Sequence, residues 1–111
     1  MAKFTPETKE ELQALIYNEA IHLGDIDTSK ITDMSYLFAN SDRTDFSGIE
    51  KWDVSRVTNM AYMFSGCRNF NQDISNWDIN NVNDTDMFEN CPIDNSNKPS
   101  QEQSSIKRQR L

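Results

Sequence analysis

Residues 26–38, IDTSKITDMSYLF, can be written directly over residues 52–64, WDVSRVTNMAYMF. Residues 77–88, WDINNVNDTDMF, fall beneath both with one residue removed, so the steps are 26 and then 25 residues. A period of this length marks a chain built from one repeated unit, and such a unit cannot bury its apolar side chains alone. Neighbouring copies must cover it, and the two ends need separate covers.

The columns of the alignment carry the local expectations. Ile26, Trp52 and Trp77 share one column, followed by Asp27, Asp53 and Asp78, then Thr28, Val54 and Ile79. Further along come Ile31, Val57 and Val82; Met34, Met60 and Thr85; Leu37, Met63 and Met87; and Phe38, Phe64 and Phe88. Phe46 and Ile49 recur as Phe70 and Ile74. Alternation around Trp52 and Trp77 predicts a short strand with Trp and Val or Ile inward and Asp outward. Thr32, Thr58 and Asn83 are types that cap a helix start, and Asn40, Gly66 and Asn90 tolerate the left-handed backbone just past a helix end. Met60, Met63 or Phe64, and Cys67 are spaced like one face of a helix of about two turns between them. The expected core is Trp52, Val54, Phe64, Phe70, Ile74, Trp77, Ile79 and Phe88.

These readings predict an α/β solenoid: a short leucine-rich-repeat-like stack of about three 25-residue strand-turn-helix rungs under an N-terminal capping helix. Residues 1–24 would be the cap, with Thr5 as N-cap, Pro6 in the first turn, Gly24 beyond the end, and Leu12, Leu15, Ile16, Ala20 and Leu23 buried. Residues 25–93 would form the stack. Residues 94–111 are too poor in apolar side chains to fold alone and are expected to be a disordered polar tail. The open face of the third rung would be covered by Pro92, Ile93 and part of the tail, or by a second copy in a homodimer.

TSKITDMSYLF, WDVSRVTNMAYMFSGCRNFNQDISNWD and MFENCPI resemble the BspA-like leucine-rich-repeat surface protein family, a bacterial group often labelled a domain of unknown function. The resemblance spans about residues 7–93. It implies a leucine-rich-repeat-like fold and a role in adhesion or protein binding. Unlike the family's surface members, the chain shows no signal-peptide pattern, no lipid-attachable cysteine near its start and only about three rungs. A cytoplasmic location is the expectation for the chain as it stands.

Charge narrows the function classes. Residues 1–93 carry 7 basic and 16 acidic side chains, a balance of −9, whereas 94–111 carry 4 and 2, a balance of +2. An acidic body repels phosphate backbones, so no nucleic acid is expected as a partner, and no run approaches the length of a membrane span. A single histidine, His22, and three glycines leave no catalytic constellation or phosphate loop, so the chain is not expected to be an enzyme or to hold a cofactor. Cys67 and Cys91 share a repeat phase, which admits a disulfide, a metal pair or buried free thiols; the last is favoured, since zinc needs two more ligands. The Asp- and Asn-rich run NQDISNWDINNVNDTD suits turns better than calcium, whose oxygens must converge.

The Asp column is the candidate binding surface. Like charges adjacent across a sheet destabilise it, so Asp27, Asp53 and Asp78 should be compensated by turn N–H groups or by a basic partner segment. Ser55 and Asn80 lie beside them, with Lys51 and Asn76 at the rim. The expected function is a non-enzymatic module that binds a protein, with self-association through the uncapped C-terminal rung as the alternative.

Overall fold

The computed structural model describes residues 3–99. Helix formation is confined to α1, Lys9–Tyr17, and to short 3-10 turns at Leu23–Asp25, Ile49–Lys51 and Asn95–Asn97. The described residues form no sheet. Parallel pairing is limited to the isolated bridges Phe4 to Ile26, Asp33 to Asn59, and Asn59 to Asn83. The expected strand-turn-helix solenoid is therefore overturned, and the reason lies in where the backbone N–H groups go.

Where a two-turn helix was expected, the chain runs through overlapping β-turns. In the first segment Leu37 N donates to Met34 O, Ala39 N to Tyr36 O and Ser41 N to Phe38 O. The alternate N–H groups cross to the next layer: Met34 N to Asn59 O at 2.8 Å, Tyr36 N to Ala61 O at 3.0 Å, Phe38 N to Met63 O at 2.8 Å, and Asn40 N to Ser65 O at 2.8 Å. The second segment repeats this, with Met60, Tyr62, Phe64 and Gly66 donating to Asn83, Thr85, Met87 and Glu89. An α-helix would spend every N–H four residues back. Here half of them hold the layers together. The geometry needs left-handed backbone inside the run, at Tyr36 (φ 60°), Tyr62 (φ 60°) and Asp86 (φ 49°), as well as at its end, at Asn40 (φ 57°), Gly66 (φ 69°) and Asn90 (φ 57°). A right-handed helix cannot accommodate the inner set.

The expected strands at Trp52–Val54 and Trp77–Ile79 are absent for a related reason. Asp53 Oδ1 accepts from Ser55 N at 2.9 Å and Asp78 Oδ1 from Asn80 N at 3.1 Å, closing side-chain turns that take up the donors a strand ladder would use. The inward and outward alternation survives without a sheet. Trp52, Val54, Trp77 and Ile79 are buried and Asp53 and Asp78 are exposed.

Equivalent residues lie over one another. Phe38, Phe64 and Phe88 form a column with ring centroids 5.5 and 5.7 Å apart and nearly parallel planes. Phe46 meets Phe70 edge-on at 4.9 Å, and Phe70 stacks on Phe64 at 4.0 Å. Phe64, Phe70 and Ile74 are wholly buried, while Phe88, assigned to the core, is only partly so. The bridge from Asn59 to Asn83 also corrects the repeat alignment. Since Ser35 N, Ala61 N and Thr85 N bond Asp33, Asn59 and Asn83 in turn, the missing residue falls before Asn83, and Asp84 is the partner of Met60.

The N-terminal cover is shorter than expected. Thr8 is the N-cap, its Oγ1 accepting from Glu11 N at 3.2 Å while Glu11 Oε1 accepts from Glu7 N at 2.8 Å. Thr5 has no carboxylate three residues on, so it does not start the helix. Pro6 lies before it, and the helix ends at Asn18 rather than Gly24. Leu12, Ile16 and Leu23 are buried, Leu15 partly so, and Ala20 is exposed. Lys9 Nζ ties the helix to the first layer through Ser35 O at 3.3 Å and Asp33 Oδ2 at 3.4 Å.

Gly48 shows how tightly the layers approach. It sits at φ 93°, and a Cβ there would stand 2.7 Å from Gly24 Cα. At the other end, residues 94–99 lie against the third segment: Ile74 N donates to Asn97 O at 3.0 Å, Asn71 exchanges hydrogen bonds with Asp94 and accepts from Asn97 Nδ2, and Ile93 and Pro99 are buried. Pro92 is exposed. The rest of the predicted tail, from residue 100, lies outside the described residues.

Candidate binding groove

Two consecutive connectors, residues 50–57 and 76–82, run side by side and leave a trough of about 670 Å³ between them. Its walls include Lys51, Asp53, Ser55, Asn76, Asp78 and Asn80, so the structure brings six of the seven candidate residues together. Asp27 is outside, one layer back. Trp52, Trp77, Val54, Val57 and Val82 form the apolar lining, and Glu50 adds a third carboxylate that the sequence reading passed over. With Glu50, Asp53 and Asp78 against Lys51, the balance of the trough is −2.

The turn hydrogen bonds set the electrostatics. Asp27 and Asp53 are held below the ordinary carboxylate pKa, chiefly by hydrogen bonds from the backbone and hydroxyl of Ser29 and of Ser55; for Asp27 the neighbouring Asp53 charge pushes weakly the other way. The repulsion expected in the Asp column is thus offset by one turn donor per layer. Asp27 and Asp53 are therefore charged at neutral pH. A cation entering the trough meets fixed negative charge.

The two tryptophans differ in a way no pattern forecasts. Trp52 Nε1 donates to Leu23 O at 2.8 Å. Trp77 Nε1 is buried and has no hydrogen-bond partner among the described residues. A buried unsatisfied indole N–H costs on the order of 1–3 kcal/mol.

Little else on the molecule suggests chemistry. His22 is exposed. Cys67 and Cys91 are free; burial, reinforced by the nearby Cys91, pushes the Cys67 thiol up to about 12, and burial raises Cys91 as well. Among the described residues no group of three or more His, Cys, Asp or Glu could hold a metal ion, and no helix is long and apolar enough to cross a membrane.

Sequence reasoning also missed Arg43. Its guanidinium is buried and donates to Ile16 O at 2.8 Å, Asn18 O at 3.4 Å, Ile21 O at 2.6 Å and Asp45 O at 2.9 Å. Its repeat counterpart, Asn69, also reaches back one layer, to Asp42 O and Arg43 O at 3.4 Å. That shared column of long donors, 26 residues apart, was the available signal. The stacked pair Tyr36 and Tyr62, with centroids 4.9 Å apart, was likewise unforeseen.

The chain matches, over residues 9–110, the model of the family described as Mycoplasma protein of unknown function, DUF285, and belongs to that family. No curated protein and no solved structure matches it.

Proposed function

We propose that the chain is a non-enzymatic binding module, of the adhesion or interaction type that its BspA-like repeats suggest, and that it takes a basic polypeptide segment along the trough between residues 50–57 and 76–82. The observation that carries this reading is the convergence of Asp53 and Asp78 with Trp52 and Trp77 on one open trough of net negative charge. A groove of this size, apolar along its floor with a few fixed polar groups, suits recognition better than turnover. Carboxylates pinned by turn N–H groups cost little to organise when a cation arrives.

Trp52 and Trp77 are the only tryptophans, so their fluorescence reports the trough directly. Titration with lysine- and arginine-rich hexapeptides should change the emission saturably and weaken as salt is raised, since such contacts are screened. The double variant Asp53→Asn/Asp78→Asn should lose the response while keeping its melting transition. An unchanged titration in that variant would remove the trough from consideration.

A further inference from the structure

Cys67 and Cys91 stand at the same place in successive layers. Each lies eight residues beyond a bridged asparagine, Asn59 or Asn83, and each backbone N–H closes the same turn, Cys67 N to Phe64 O at 3.0 Å and Cys91 N to Phe88 O at 3.1 Å. The residues around them are in register. The Phe64 and Phe88 rings, three positions earlier, are 5.7 Å apart and nearly parallel, and Gly66 N, one position earlier, donates to Glu89 O at 2.8 Å. Chains paired by such hydrogen bonds run about 4.8 Å apart. A disulfide spans Cα atoms about 4.4–6.8 Å apart, so two neighbours in one column meet its first requirement where the backbone already stands.

The side chains converge as well. Cys67 is wholly buried in the apolar column, and Cys91, half-buried, packs against that column. Cys91 Sγ lies 3.6 Å from Phe70 O, and Phe70 N bonds Cys67 O at 3.4 Å, which puts the Cys91 sulfur on the turn that Cys67 opens. The first-layer counterpart is Ser41, so the thiol pair joins the second and third layers. Exposure sets an order between the two. Solvent reaches Cys91, whereas Cys67 is reached only from inside the stack.

We propose that Cys67 and Cys91 are an oxidation site, at which a small-molecule disulfide converts the free thiols into one disulfide that staples the second layer to the third. Cys91 reacts first. Its thiol gives up a proton and its sulfur attacks the small disulfide; one thiolate leaves, and Cys91 keeps the other half as a mixed disulfide. Cys67 then gives up its proton and attacks the Cys91 sulfur, expelling the second thiolate. Two protein thiols are oxidised and one small disulfide is reduced to two thiols, the leaving thiolates taking up the two protons. The fold gives up one weak S–H contact to Phe70 O in exchange. Burial holds both protein thiols protonated at neutral pH, with a weaker pull the other way on Cys91 from Lys98, so exchange is slow there and faster in mild alkali. This assignment does not rest on the binding trough.

The test treats the full chain with oxidised glutathione at mildly alkaline pH, without denaturant. The wild-type chain should lose the mass of two hydrogens, yield a peptide linking Cys67 to Cys91 after digestion, stay monomeric, and melt about 10 °C above its reduced form. Cys67→Ala should stop at the first step and keep one glutathione on Cys91. Cys91→Ala should take up none. Because Cys67→Ala opens a core site, the bond in the wild-type chain is the deciding readout, and the variants establish the order of attack. A wild-type chain that retains glutathione on Cys91, links to a second chain, stays unmodified, or forms the bond only in urea would overturn the proposal. So would an oxidised chain that melts below the reduced one, and glutathione on Cys67 in Cys91→Ala would overturn the order.

Discussion

The two ends of this stack are finished with different materials. At the N-terminal end a charged side chain does the sealing: Arg43 gathers the carbonyls of Ile16, Asn18 and Ile21, which close the end of α1 and the bend after it, and Glu19 Oε2 accepts from Thr44 N and Oγ1 at 2.6 Å. The C-terminal end relies chiefly on one asparagine, Asn71, bonded to Asp94 and Asn97, with Lys98 Nζ standing 5.6 Å over the Phe88 ring. The same contrast recurs in the tryptophans, since among the described residues only the one nearer the N-terminus has a partner for its indole N–H. An apolar column can be continued by any next layer, but its backbone donors and acceptors must also end somewhere. The N-terminal end resolves that within the described residues, and the C-terminal edge does not.

The largest expected effect tests the column that both ends protect. Trp77→Ala should lower the unfolding free energy by about 3–5 kcal/mol, the usual cost of emptying a large core site, whereas the outward Asp78→Asn should stay within about 0.5 kcal/mol; urea titration of both variants checks this. Arg43→Met should cost about 3 kcal/mol, because it leaves several carbonyls at the α1 end without donors. At the opposite end, Asn97→Ala should cost only about 1 kcal/mol. Equal losses would erase the distinction between the ends.

The tryptophans allow a finer comparison. Trp52→Phe sacrifices the bond to Leu23 O and Trp77→Phe sacrifices none among the described residues, so the first should be about 1–2 kcal/mol the more destabilising, read as a difference in melting temperature. The mildest effect is on pH. Asp27, Asp33, Asp45, Asp53 and Asp73 are each held below the ordinary value, for all but Asp33 chiefly by hydrogen bonds from the serine two residues on; at Asp33 burial pushes up hardest, but the Ser35 and Lys9 contacts outweigh it together. Their folded-state pKa values lie under the unfolded value of about 3.9. The stabilisation is therefore fully present above that value and is lost as pH falls through the lower, folded values. Melting temperature should be nearly level from neutral pH down to about 4 and decline below it.

The inward tryptophans and outward aspartates were legible because alternation needs only an extended chain, and a strand ladder turned out to be unnecessary. The helix was misread because Met60, Met63, Phe64 and Cys67 face the core as well from overlapping turns as from a helix. Side-chain spacing does not say whether an N–H bonds four residues back or to a neighbouring layer. That choice depends on residues some two dozen positions away. Tyr36 and Tyr62 could have given it away only to a reader who suspected left-handed tyrosines, which are rare because they are strained. Six members of the candidate trough were found because adjacent repeats put equal columns side by side, and Asp27 fell outside because this trough lies between the second and third copies.

The alternation of the N–H groups imposes a rule of parity on any change of length. The bridged asparagine and aspartate positions are 26 residues apart once and 24 the next time, a difference of two. One residue inserted inside a turn run would exchange the donors that hold the layers for those that close the turns, and would turn the phenylalanines out of their column. Lengths can therefore drift in the connectors, while the runs themselves accept change only in pairs.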